Sequence, residues 1–194
     1  TFYMSLPPSD SPRKSMHTRT VRVEAFLRED GLWDLDAELL DVKGYDFSKH
    51  SGALHPAGLP VHKMQLRVTI DDEFTIKAAV AAYDAAPYNQ NCFRIAPDYQ
   101  DLVGMNLLRG FRNAVKERFG RTAGCTHLTE MSYLLPTVAI QSRAGRPRKQ
   151  RDAELPNKRP FQLEGCHALR LDGPVAKEFY PEWYTGPDAE VRRE

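Results

Sequence analysis

The chemistry available to this sequence is concentrated in its cysteines and histidines. Cys125 and His127 stand two apart in Gly124-Cys125-Thr126-His127, and Cys166 and His167 are adjacent. Cys92 lies mid-chain, and His62 opens a run of alternating apolar residues. Thiolate and imidazole are the donors that Zn²⁺ and Fe²⁺ accept, and a mononuclear site needs three or four of them held by separate elements. The spacing is not the tight Cys-x-x-Cys form, and a cysteine taken singly is more often a small buried hydrophobe than a ligand. Three cysteines cannot all pair internally. The polar N-terminus, Thr1 to Ser15, has no apolar core of an export signal, so a cytoplasmic location and free thiols or metal ligands are expected rather than disulfides. The expectation is one divalent metal, zinc or iron, drawn from His62, Cys92, Cys125, His127, Cys166 and His167, with Cys125 and His127 at its centre. An iron–sulfur cluster fits the spacing less well.

Glu130 follows His127 by three residues, which places both on one face of a helix. A carboxylate beside a metal is a candidate general base; the plainer reading is a solvated surface glutamate. A metal with an open position would polarise a carbonyl or activate water. That suits a lyase or hydrolase acting on a small oxygenated substrate. Two other roles use the same residues. A non-catalytic metal or iron–sulfur carrier needs exchangeable ligands and a docking surface for a partner protein. An interaction protein could hold a closed structural metal.

The elements that must position these residues are legible. Thr20–Phe26 reads as a strand, Arg28-Glu29-Asp30-Gly31 as a turn in which Asp-Gly supplies positive φ, and Leu32–Val42 as the returning strand. Residues 43–61 form a loop rich in glycine and proline. His62, Met64, Leu66, Val68 and Ile70 alternate strictly, Asp71-Asp72-Glu73 turns the chain, and Phe74–Tyr83 returns it. Helices are predicted over Cys92–Val103, over Leu107–Phe119 ending at Gly120, and from Cys125 or Thr126 towards Ile140 with an interruption at Pro136. A helix opening at Cys125 would favour its thiolate. Strands followed by helices imply an α+β fold: two β-hairpins in one antiparallel sheet with helices packed on one face. The expected organisation is a flexible tail over 1–17, an α+β core over 18–141, a basic linker over 142–160, and a C-terminal segment over 161–194 packing on the core. Its Tyr180-Pro181-Glu182-Trp183-Tyr184 run anchors that segment or forms an interface.

The bulk properties exclude several classes. In 194 residues, 41% apolar and 27% charged, the formal net charge is +1, which gives no general attraction to nucleic acid or anionic membrane. No apolar run reaches the roughly 18 residues a membrane span needs. Arg143-Ala144-Gly145-Arg146-Pro147-Arg148 resembles a single, imperfect minor-groove hook, but a solvated basic linker is the simpler account.

Two resemblances add to this. Residues 62–103 and 124–135 resemble the NifU/IscU-type iron–sulfur scaffold, with His62 at the hairpin start, Cys92 at the second ligand position, and Cys125 and His127 at the last. The resemblance implies a scaffold-like fold and a cluster or mononuclear site. The chain over 18–184 also resembles a bacterial family of proteins of unknown function, DUF2889. The residues that carry this are Arg28–Asp34, Tyr45-Asp46-Phe47, Ile70-Asp71-Asp72, Ala123–Leu128 and Cys166–Leu169. It implies an association with catabolism of aromatic compounds.

Overall fold

The computed structural model of the protein describes residues 5–144, 159–160 and 162–187. The chain divides into two compact units, Thr1–Gly145 and Arg146–Glu194.

The first unit is built on two long hairpins. Strands β1 (His17–Leu27) and β2 (Trp33–Lys43) are joined by the Arg28–Leu32 turn, where Gly31 takes φ +84°. Strands β5 (Pro60–Ile70) and β6 (Ile76–Ala85) form the second hairpin. Between them, the 43–61 loop carries a two-residue ladder, β3 (Phe47–Ser48) against β4 (Leu54–His55). The long strands make one antiparallel sheet in the order β1-β2-β5-β6. The β5–β6 turn is wider than the sequence suggests. Phe74 adopts φ +65° and is buried, so β6 begins only at Ile76. Asp71 caps the turn, accepting from the N–H groups of Glu73 and Thr75.

Period-two alternation decides which face is the core. Trp33, Leu35, Ala37 and Leu39 of β2 and Met64, Leu66, Val68 and Ile70 of β5 all point inward and are buried. They pair across the ladder as Trp33–Ile70, Leu35–Val68, Ala37–Leu66 and Leu39–Met64. The opposite face carries ion pairs such as Arg22–Glu24 and Arg67–Asp36.

The helical layer follows in sequence: α1 (Asn89–Phe93), a 3-10 turn (Pro97–Leu102), α2 (Phe111–Phe119), α3 (Thr126–Ser132) and α4 (Leu135–Ala144). The predicted Cys92–Val103 helix is instead α1 and the separate 3-10 turn. The predicted Leu107–Phe119 helix starts late, because Gly110 stands at φ +65° before it. Between α3 and α4 the chain breaks at Tyr133–Leu134, and Pro136 sits in the first turn of α4, where its missing N–H costs nothing. Tyr99, Leu102, Val115, Phe119, Leu128, Met131, Leu135 and Ala139 close the core over the sheet. This is the expected α+β arrangement.

In the second unit the described residues include a 3-10 turn at His167–Leu169, helix α5 (Pro174–Phe179) and a 3-10 turn at Pro181–Trp183. The Gly145–Arg151 run lies outside the described residues. Among the described residues, no helix is long and apolar enough to cross a membrane.

Candidate metal centre

At one end of the sheet the inward alternation passes from apolar to charged. Arg19, Asp41 and His62 occupy one rung across β1, β2 and β5, since Arg19 pairs with Asp41 and Asp41 with His62. Asp41 continues the inward parity of Trp33 to Leu39, so it is driven into the core and is only 1% exposed. His62 likewise continues the parity of Met64 to Ile70. Just beyond this rung the β2–β5 ladder shifts register between Asp41 and Val42, with Val42 opposite Pro60 and Val61 the extra residue. Bulges of this kind re-aim side chains, and they recur beside functional sites.

The buried carboxylate is the hub. Arg19 grips it with two hydrogen bonds, Nε to Oδ1 and Nη2 to Oδ2, each 2.8 Å. His62 Nδ1 lies 2.9 Å from Oδ2, His17 Nε2 lies 3.3 Å from Oδ1, and His127 Nε2 lies 3.8 Å from Oδ2. The rings of His62 and His127 pack with centroids 4.1 Å apart. Asp41, His62 and His127 each offer a donor atom, all within 4.8 Å of one another. The second guanidinium edge of Arg19 reaches Glu130, Nη1 to Oε2 at 3.1 Å, and the Glu130 carboxylate stands at the exposed rim.

Electrostatics follow from this packing. Burial opposes ionisation of Asp41, but the Arg19 guanidinium and His62 outweigh it and hold the carboxyl below its ordinary value. Burial and the neighbouring His127 lower His62, against the pull of Asp41, so its imidazole is poised neutral and fit to ligate.

Cys125 occupies the other side of His127. Its sulfur lies 3.9 Å from His127 Nδ1. Its backbone is fixed by the buried Tyr99, whose hydroxyl donates to the Cys125 carbonyl at 2.9 Å and accepts from the Cys125 N–H at 3.1 Å. Gly124 is needed just before it, because a Cβ there would stand 2.5 Å from the Phe119 carbonyl oxygen and 2.7 Å from its Cβ. The Tyr83 hydroxyl, on β6, faces the sulfur; it is buried and has no hydrogen-bond partner of ordinary geometry among the described residues. Burial opposes ionisation of Cys125, but His127, Tyr83 and the backbone N–H groups of Leu128 and His127 outweigh it and bring the thiol down to about 7.

The structure therefore brings together His62, His127 and Cys125 from the sequence-derived set, and adds Asp41, which that set lacked. Cys92 sits half-buried on α1, beside Phe93, whose ring packs on Tyr83. Cys166 is exposed and His167 opens the 3-10 turn, both in the second unit. Glu130 is held at the rim by Arg19 rather than standing free in solvent.

Residues 17–141 match the model of a family described as a protein of unknown function, DUF2889, and the chain belongs to that family. No curated protein and no solved structure matches the chain. The likeness to the NifU/IscU-type scaffold is not confirmed by these comparisons.

Proposed function

We propose that this protein holds one divalent transition-metal ion, zinc or iron, on Asp41, His62 and His127, and uses it as a small metal-dependent enzyme on an oxygenated substrate. One observation carries the reading: donors from β2, β5 and α3 converge within 4.8 Å around a buried, ionised carboxylate. Two histidines and one carboxylate form a donor set that suits Fe²⁺ or Zn²⁺ and leaves positions open. The fit is sound because Arg19 takes up only part of the hydrogen-bonding capacity of Asp41, whose two oxygens offer about four acceptor sites. It is sound also because two of the three donors have outer partners: Arg19 and His17 orient Asp41, and Cys125 stands behind His127.

When bound, the ion supplies Lewis acidity towards a carbonyl or a water. The protein's own residues do the rest. His62 and His127 are 18% and 24% exposed at their side chains, so the centre is reached from solvent at that edge. Glu130, braced by Arg19 at the same edge, is placed to take a proton from an incoming water. A lyase or hydrolase reaction on a small carbonyl- or ester-bearing compound uses these parts.

Elemental analysis of anaerobically purified protein tests the reading. About one zinc or iron per chain is expected, falling to background in His62→Ala and His127→Ala. Stoichiometric metal that survives both substitutions, or none in the wild type after reconstitution with either ion, overturns it.

A further inference from the structure

In the order β1-β2-β5-β6 the border strands of the sheet are β1 and β6. The border of β6 is covered where it starts, since Ile76 is hydrogen-bonded through its backbone to Met105 and Gly104. Among the described residues, β1 pairs with β2 alone. The direction of its free groups follows from the ladder. At the turn the Arg28 N–H donates to the Leu32 carbonyl, and at the far end the Gly44 N–H donates to the Met16 carbonyl. Opposed residues alternate between bonded and non-bonded pairs, so the even-numbered residues of β1 spend their N–H and C=O groups on β2. Those of Arg19, Val21, Val23, Ala25 and Leu27 point away from it, along the open border. Monomers guard such an edge with proline, a bulge or an inward charge. β1 runs 11 residues in unbroken register with no proline or glycine. Its inward charge, Arg19, is spent on Asp41 and Glu130. The next inward residues, Val21, Val23 and Ala25, pack on the core but are only half-buried, and Phe26 and Leu27 are 47% and 59% exposed.

We propose that β1 pairs antiparallel with β1 of a second copy, about a two-fold axis at Val23, so that two four-stranded sheets become one. The charge pattern selects both the occupant and the register. Arg22 and Glu24 flank Val23 on the outer face, and both are exposed. A two-fold at Val23 sets Arg22 of each copy opposite Glu24 of the other, in the non-bonded pairs where side chains stand closest. A two-fold at Arg22 or at Glu24 sets like charges together, and one at Ala25 opposes Arg22 to Arg28. One at Val21 faces both charges with threonines, Thr20 and Thr18, and carries Leu27 beyond the partner strand. On the core side, Val23 meets Val23 and Val21 meets Ala25, which completes the burial that each copy leaves half done. Leu27 lies opposite Arg19, and Phe26 opposite Thr20. Residues 19–27 of each copy then pair over roughly 30 Å with about ten main-chain hydrogen bonds. The interface uses none of the three clustered metal donors, so it stands apart from the metal reading.

Sedimentation velocity on the full chain at micromolar concentration tests the pairing, and the expected species is a dimer. Arg22→Glu and Glu24→Arg should each raise the dimer dissociation constant by roughly 10–100-fold, since two attractive pairs become two repulsive ones. Mixing the two variants should restore wild-type affinity, because each charge then meets its opposite across the two-fold. The Arg22–Glu24 pair within one chain does not explain such a result, being like-charged in both variants. Val23→Cys should cross-link the dimer under mild oxidation, with the bridge located by mass spectrometry, because bonded pairs hold their Cα atoms within disulfide range. Val21→Cys should not, its counterpart lying roughly 13 Å along the ladder. Cross-linking decides alone if a charge variant loses its strand signal by circular dichroism. A monomeric wild type overturns the pairing and leaves the edge to a strand of another protein. A dimer indifferent to both charge changes, mixed variants that stay apart, or a cross-link at Val21→Cys but not at Val23→Cys overturns it as well.

Discussion

Replacing Asp41 by Asn removes the charge at the hub while keeping the side chain's size and one of its acceptors. In the folded protein this carboxylate is 1% exposed and is gripped by Arg19 at 2.8 Å through both oxygens, with His62 at 2.9 Å and His17 at 3.3 Å. Removing one partner of a fully buried ion pair costs about 3–5 kcal/mol, because the other charge is left uncompensated. Arg19 is 35% exposed, so solvent recovers part of that. A loss of about 2–3 kcal/mol is therefore expected for the metal-free protein. For a unit of this size that lowers the melting temperature by roughly 5–10 °C. Metal affinity should fall by more than the roughly 10–100-fold that follows loss of an outer partner, since a donor itself is lost. Urea denaturation of the metal-free protein gives the first quantity and chelator competition the second. A double-mutant cycle with Arg19→Met isolates the pair. If Asp41→Asn unfolds within about 0.5 kcal/mol of wild type and keeps wild-type zinc affinity, the hub described here neither holds the fold nor binds the ion.

Three further outcomes follow from the same geometry. Tyr99→Phe removes a hydroxyl that serves the Cys125 N–H, the Cys125 carbonyl and Thr129 Oγ1; it should cost about 1–3 kcal/mol in chemical denaturation, with the ring stack on Phe119 preserved. Gly124→Ala drives a methyl to within 2.5 Å of the Phe119 carbonyl oxygen; a loss of about 1–3 kcal/mol and a weaker zinc site are expected, read by melting and chelator competition. Acid should destabilise the metal-free protein in two ranges. His62 is held below its ordinary 6.5, so the unfolded chain protonates it first and stability drops as the pH falls below 6.5. Asp41 and Asp71 are held below 3.8, so the stability they contribute is present above that value and is lost as the pH falls through their folded values. Urea midpoints at about pH 7, 5.5 and 3.5 would trace both ranges, and Asp71→Asn should flatten only the more acidic one.

What the sequence disclosed, and what it kept back, divides along a physical line. Hairpins are local: Asp30-Gly31 supplies its own positive φ, and strict alternation through His62, Met64, Leu66, Val68 and Ile70 needs no partner to be read. That alternation already put His62 on the inward face. The same parity, applied to Leu35, Ala37 and Leu39, put Asp41 inward as well, and a carboxylate at an inward position two residues beyond a buried leucine signals a required charge partner. That signal was present, but a search confined to cysteines and histidines passes over it. Helix boundaries were harder, since Gly110 and the Tyr133–Leu134 break act through backbone conformations that residue periodicity does not encode. The cross-strand register was hardest. That Arg19, Asp41 and His62 share one rung depends on where the Arg28–Leu32 turn and the bulge at Val61 set the ladders. A one-residue slip in the first ladder would turn Arg19 away from Asp41, and one in the second would turn His62 away from it. The register therefore ties function to fold here. An insertion in the Arg28–Leu32 turn would leave both strands hydrophobic enough to pair, yet would separate Arg19 from Asp41. It should weaken zinc binding by roughly 10–100-fold, as loss of an outer partner does, in a protein that still shows strand signal by circular dichroism, whereas an insertion of equal length in the exposed Lys49–Gly52 turn should leave the affinity unchanged.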